Sequence, residues 1–325
     1  MSEPRIVLFA DGGPNIGAGH IFRQYPIFRC LLAMGISAEM WVPLEQESLN
    51  ELGVKDVRSI PIEPSAIALA LNAFAPAVVV LDTYRHLSEL IELLEVNDRS
   101  LVVFDDHFRV KRKVALIVNS SPAADAGNYD LGLASQVLTG PDYASVSNGF
   151  LDARLLYRVA PKISRILVAL GGADFCQNLP NLLRVVIPLL QTQTQIFVVG
   201  GRPASIDVPR NIELTWGWLD QDILARRMAD IDLAILAGGT MLWQAACVGV
   251  PTLSWPQTPG QMVHAASWKA KGAIIAVKDL NTIPSALEQL QSLPLREELS
   301  AAGRKAIDGL GATRIAVHLS ELLTT

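Results

Sequence analysis

Short apolar runs of strand length alternate with amphipathic helical segments along almost the whole chain, and they do so in two successive series. The first series has runs at 5–10, 38–42, 57–60, 77–81, 101–104 and 115–118, and the second at 165–170, 195–199, 212–214, 233–236 and 252–254. A strand that is apolar along its whole length must be covered on both faces, and helical segments between consecutive runs supply the covers. The expectation is an α/β protein with two doubly wound domains, each built on a parallel sheet. Pro161 follows a helix-like stretch, so the linker is placed at 157–162 and the domains at 1–158 and 159–325. The tail from 283 onward reads as helices, one of which can cross back onto the first domain.

Composition narrows the function classes. The chain has 325 residues, half of them apolar, enough for a large core. Its apolar runs fall far short of the ~20 residues that cross a bilayer, and the start lacks a basic region followed by a signal-like apolar core. The expected setting is therefore the cytoplasm, with no membrane insertion. Cys30, Cys176 and Cys247 are odd in number and far apart, which argues against a disulfide framework and a zinc cluster. The net charge of −5 is scattered, with no basic patch for nucleic acid. A small-molecule enzyme is the expectation that remains.

In open parallel sheets the ligand lies beyond the carboxyl ends of the strands, so the loops after strands carry the interest. The run 11–23, DGGPNIGAGHIFR, follows the first apolar run and leads into a helix. Gly17 and Gly19 can bring backbone amides close to an anion or sugar, and His20 adds an imidazole at the helix start. Asp82, Thr83 and Tyr84 follow another strand, and Asp105, Asp106 and His107 a third. Such residues also serve as plain turn and capping groups. Asp106 beside His107 lacks a further His or Cys at a metal-ligand spacing, so no metal site is expected. In the second half, Gly171, Gly172 and Asp174 follow one strand, and Gly238, Gly239 and Thr240 another. Glycines admit a phosphate, and Thr240 can cap the helix or donate its hydroxyl, although a glycine pair also makes an ordinary tight turn. Gln244 lies one helical turn beyond Thr240 on the same face, where its amide can reach a sugar attached to that phosphate.

Taken in order, Asp11, Gly17-x-Gly19-His20-Ile21-x-Arg23, Leu81-Asp82-x-Tyr84, Phe104-Asp105-Asp106, Gly140-Pro141-x-Tyr143, Gly171-Gly172-x-Asp174 and Ala237-Gly238-Gly239-Thr240 with Gln261 span nearly the whole chain. This series resembles the UDP-2,4-diacetamido-2,4,6-trideoxy-altropyranose hydrolases of pseudaminic acid biosynthesis, which are similar in fold to the GT-B glycosyltransferases. The resemblance implies two Rossmann-like domains in a GT-B-type architecture, with the nucleotide held mainly by the second domain and the sugar facing loops of the first. It also implies cleavage without metal or cofactor, water replacing UDP at the anomeric carbon. His20 would be the catalytic histidine, since a free imidazole titrates near pH ~6.5 and can take a proton from water. Asp11 would position the imidazole or the sugar. Gly17, Gly19, Arg23, Tyr84, Asp106 and Tyr143 would bind the sugar. Gly171, Gly172, Asp174, Gly238, Gly239, Thr240, Gln244 and Gln261 would bind the nucleotide.

Several positions depart from that family. Phe9 stands where the family usually has an arginine, two residues before Asp11, and Gln244 where relatives carry a glutamate that commonly chelates both ribose hydroxyls. The segment 144–150, ASVSNGF, lacks the usual arginine and glutamate. These changes cluster around the ligand and point to a different nucleotide or sugar from the family's standard substrate. The expected function is a nucleotide-sugar hydrolase, with UDP as nucleotide and an acetamido-deoxy sugar, in nonulosonic acid or surface-glycan biosynthesis. The alternatives are a GT-B glycosyltransferase that uses an acceptor hydroxyl, and a non-catalytic nucleotide-sugar-binding protein.

Overall fold

The computed structural model describes residues 6–13, 16–95, 99–130, 132–171, 178–190, 193–200 and 206–324. The chain divides into two compact units, one running to Val146 and resuming at Leu310, the other Ser147–Gly309. Among the described residues no helix is long and apolar enough to cross a membrane.

The first unit contains β1 (Ile6–Ala10), α1 (Gly19–Ala33), β2 (Ala38–Val42), α2 (Gln46–Glu51), β3 (Arg58–Ser59), α3 (Pro64–Phe74), β4 (Val78–Asp82), α4 (Leu87–Leu94), β5 (Ser100–Phe104), β6 (Val114–Asn119) and β7 (Ala134–Thr139). The strands form one parallel sheet in the order β3-β2-β1-β4-β5-β6-β7. Ile6, Leu8, Ala10, Val78 and Val80 face one core with α1, whereas Val7, Phe9, Val79 and Leu81 face the other with α3 and α4. Strand β7 was not expected, because its sequence ASQVLT is polar and its residues lie at the sheet edge, largely open to solvent.

The second unit contains α5 (Asn148–Leu156), β8 (Arg165–Ala169), α6 (Leu179–Val186), β9 (Thr194–Val199), β10 (Ile212–Gly217), α7 (Gln221–Ala229), β11 (Leu233–Leu236), α8 (Met241–Val248), β12 (Thr252–Ser254), α9 (Pro259–Ala270), β13 (Ile275–Ala276), α10 (Ile283–Gln289) and α11 (Leu293–Ala306). Its parallel sheet runs β10-β9-β8-β11-β12-β13. Both sheets therefore reverse their winding at the first strand of the unit, between β1 and β4 and between β8 and β11, as doubly wound sheets do. The last helix, α12 (Gly311–Glu321), belongs to the first unit and packs on α1 through Ala312, Ile315, Ala316 and Leu319.

The boundary falls before α5 rather than after residue 158, and two guanidinium groups explain why. Arg154 donates to the carbonyls of Cys247 and Ile307 at 2.9 Å and of Arg304 at 3.1 Å. Arg304 donates in return to Val248 at 2.9 Å, Arg154 at 2.8 Å and Tyr157 at 3.2 Å. The C-terminal carbonyls of α5, α8 and α11 thus converge on two cations, satisfying acceptors that a helix end leaves open. Replacing Arg304 with methionine is expected to lower stability by about 2–3 kcal/mol, because it orphans carbonyls on two helices. A urea midpoint equal to that of the unaltered protein would show that these bonds do not hold α5 in place.

Candidate functional site

The first cluster forms where β1 and β4 end side by side. Ala10 pairs with Asp82, and the Asp11 N–H donates to the Asp82 carbonyl at 2.9 Å. Side chains alternate across a strand, so Asp82 continues the face of Val78 and Val80, which is the face covered by α1. Asp11, one residue past Ala10, falls on the opposite face with Thr83.

The loop into α1 closes on itself through paired backbone bonds between Gly13 and Gly17, at 3.2 and 2.7 Å. Gly17 takes φ +78°, where a side chain is disfavoured. Gly19 begins α1, and His20, Arg23 and Gln24 follow at the spacing that puts them on one buried helix face. All three meet Asp82, which is completely buried. His20 Nδ1 lies 2.5 Å from Asp82 Oδ1. Arg23 donates from Nη2 to Oδ1 at 2.5 Å and from Nε to Oδ2 at 2.6 Å, and Gln24 donates from Nε2 to Oδ2 at 2.8 Å. Burial alone would raise the Asp82 carboxyl, but the Arg23 guanidinium and the His20 ring outweigh it and hold the group well below the usual carboxylate range. An ionised carboxylate only accepts, so Nδ1 of His20 carries the proton, and in the neutral ring the lone pair lies on Nε2.

Arg23 reaches a second carboxylate, donating from Nη1 to Asp106 Oδ2 at 2.6 Å, and the Tyr84 hydroxyl donates to the same oxygen at 2.7 Å. Burial pushes the Tyr84 phenol far above its ordinary value, and the Asp106 charge adds to the effect. Asp106, raised by burial, is brought down further by Arg23 to below the ordinary range. The Tyr84 ring stands edge-on to His20, centroids 4.4 Å apart, and 4.7 Å from His107. Among the described residues no group of three or more His, Cys, Asp or Glu could hold a metal ion.

This arrangement corrects three expectations. Asp11 does not position the imidazole: its carboxylate accepts from Arg85 Nε at 3.0 Å, from Arg85 Nη2, from Thr83 Oγ1 at 2.8 Å and from the Gly12 N–H at 2.7 Å. Asp82 takes that place because strand parity gives it the α1 face. Arg23 is no open substrate-binding cation, since its guanidinium is 4 % exposed and shared between two carboxylates. Tyr143 packs against α12 and α1, its ring 6.2 Å from His318. Arg85, whose side chain is 40 % exposed, places a cation beside Asp11. Phe9, at the position where an arginine was expected, lies wholly in the core under α3 and α4.

The second cluster forms at the corresponding place in the other unit, after β8 and β11. Gly171 takes φ +99° at the end of β8, while Gly172 and Asp174 lie outside the described residues. Gly238 is buried and Gly239 exposed at the end of β11. A Cβ on Gly238 would sit 2.6 Å from the Gln261 carbonyl oxygen and Cβ, so only glycine fits under the first turn of α9. Thr240 precedes α8 without capping it through its side chain, contrary to one expectation, because it already has helical backbone angles (φ −57°, ψ −25°). Gln244 is 3 % exposed, with Nε2 donating to Gln221 Oε1 at 2.6 Å and Oε1 buried without a partner. Gln261 Oε1 accepts the Gln257 N–H at 2.8 Å, which commits it to bracing its own loop.

Sequence reasoning passed over His264. Its Nδ1 lies 2.7 Å from the Gly238 carbonyl oxygen, and its Nε2 accepts from the indole N–H groups of Trp243 at 3.2 Å and Trp268 at 3.3 Å. Asp82 was named among the polar residues at strand ends but given no role. Its signal was present: three hydrogen-bonding residues at i, i+3 and i+4 on an otherwise apolar helix face require a polar partner opposite.

No family model matches the chain. The spore coat polysaccharide biosynthesis protein SpsG of Bacillus subtilis (strain 168) is 27 % identical over 340 residues, covering 97 % of each chain. The calicheamicin glycosyltransferase CalG4 covers 100 % of this chain and 99 % of its own at 16 % identity, with a TM-score of 0.68. S. aureus MnaA, solved with UDP, covers 99 % of this chain and 97 % of its own at 14 % identity, with a TM-score of 0.70. The chain thus has two parallel-sheet α/β domains of the GT-B type.

Asp82 governs an acid-dependent part of stability. Its folded-state value lies below the ordinary ~3.9, so its contribution is complete above that pH and is lost as pH falls below it toward the folded value. Asp82→Asn should destabilise the protein by about 3–5 kcal/mol at neutral pH, since buried Arg23 loses one of its two carboxylates and His20 its acceptor. Urea unfolding at pH 7 and at pH 3 should show the gap between variant and parent shrinking in acid. A gap independent of pH would contradict the ionised state of Asp82.

Proposed function

We propose that the protein hydrolyses a nucleotide sugar, with the first unit supplying the base and the second holding the nucleoside diphosphate. The observation that carries this reading is the His20–Asp82 pair at the β1–β4 switch point. Water attacks the anomeric carbon and gives its proton to the Nε2 lone pair of His20, while the bond from that carbon to the phosphate oxygen breaks and its electron pair leaves with the diphosphate. Asp82 stabilises the imidazolium that forms and keeps the ring in the required tautomer. Arg23 and Gln24 hold Asp82 in place, and Tyr84 and Asp106 line the sugar side. Backbone N–H groups of Gly239 and Thr240 at the start of α8 receive the developing negative charge of the leaving group.

The name of SpsG supports a place in polysaccharide biosynthesis, and the UDP bound to MnaA supports a nucleotide ligand on this fold. The substrate proposed is a UDP-sugar whose sugar is acetamido-deoxy, in nonulosonic acid or surface-glycan biosynthesis. Gln244 offers the nucleoside one polar atom, because Gln221 occupies the other.

The test is incubation with a panel of nucleotide sugars, with and without acceptor alcohols, followed by NMR of the products. Free sugar and nucleoside diphosphate without acceptor are expected. Turnover only with an acceptor would establish a transferase instead, and binding without turnover a non-catalytic protein. His20→Ala should reduce turnover by about 10²–10⁴-fold and leave nucleotide affinity within about twofold, since its role belongs to the transition state.

A further inference from the structure

The Gly238–Gly239 peptide is held from the α9 side. His264, on α9, uses both ring nitrogens, Nδ1 with the Gly238 carbonyl and Nε2 with Trp243 and Trp268. An indole nitrogen can only donate, so Nε2 is unprotonated and Nδ1–H donates to Gly238. Trp268 is fully buried and Trp243 3 % exposed, which fixes the ring in that orientation. Gln261 backs the same glycine closely enough to exclude a Cβ. A trans peptide is planar, with its carbonyl and N–H pointing in opposite directions. Holding the Gly238 carbonyl toward α9 therefore turns the Gly239 N–H away from α9, onto the exposed side of the loop. There it joins the Thr240 and Met241 N–H groups, which the geometry of α8 leaves without helical partners.

We infer that His264 is a positioning residue for diphosphate binding: through Gly238 it aims the Gly239 N–H at a phosphate oxygen. The inference rests on the proposed diphosphate site and adds to it a residue that need not touch the ligand. His264 acts here as a neutral donor, so its contribution is directional rather than electrostatic.

NMR titrations with UDP and with uridine test it, because uridine shares the nucleoside contacts and lacks the phosphates. His264→Phe keeps a ring between the two indoles and removes the donor, and should weaken UDP about tenfold while leaving uridine within about twofold. His264→Asn places an amide donor where Nδ1 was and should recover UDP affinity to within about threefold of the parent. Equal losses for UDP and uridine, no recovery in His264→Asn, or UDP affinity unchanged in His264→Phe would each overturn the positioning role. If the unaltered protein binds no UDP, the diphosphate reading itself fails and takes this inference with it.

Discussion

One buried carboxylate organises the first unit. Asp82 stands at the end of β4 with no exposed surface, and the three polar residues that open the buried face of α1 all bond to it. A carboxylate in that position is unfavourable unless paired, and Arg23 supplies the charge while Gln24 and His20 satisfy the remaining oxygen sites. The same contacts tie the first turns of α1 to the end of β4. The structural anchor of the helix and the orienting partner of the imidazole are therefore a single group. Because Arg23 also grips Asp106, which holds the Tyr84 hydroxyl, the start of α1 and the ends of β4 and β5 form one connected network.

The second unit is built differently around its glycine loop. Around Gly238 the described contacts are the close backbone approach of Gln261, a neutral histidine and two indoles. Gln244 and Gln221 form a neutral amide pair beside it. The N–H groups this loop presents are backbone groups whose direction is set by packing. The two units share their sheet topology but differ at the strand ends, a buried charged cluster in one and a tightly packed glycine loop in the other.

Much of this was legible from residue patterns. Apolar runs located eleven of the thirteen strands among the described residues, because strands buried on both faces leave continuous hydrophobic stretches, whereas the polar edge strand β7 and the two-residue β13 do not. The glycine loops also follow strands, as their sequence contexts indicated. Residue roles were harder. Asp11 and Asp82 look equivalent as acids at strand ends, and only counting alternation from Ala10 and Val80 shows which one faces α1. Arg23 looks like a ligand contact until its two carboxylate partners, 59 and 83 residues away, are seen. The unit boundary was misplaced because the force holding α5 comes from Arg304, 150 residues downstream. Local pattern reveals elements and loops, but pairings between distant polar residues require the register of the sheet.

The central claim is that Asp82 holds His20 with its proton on Nδ1 and its lone pair on Nε2. Long-range ¹H–¹⁵N correlation spectra of ¹⁵N-histidine-labelled protein, assigned by comparison with His20→Ala, report the protonation of each ring nitrogen directly. The account predicts a protonated Nδ1 and a bare Nε2 in the neutral form of the His20 ring. A neutral ring with the proton on Nε2 would contradict it, because the lone pair would then lie on Nδ1, facing Asp82 and not placed to accept a proton from water.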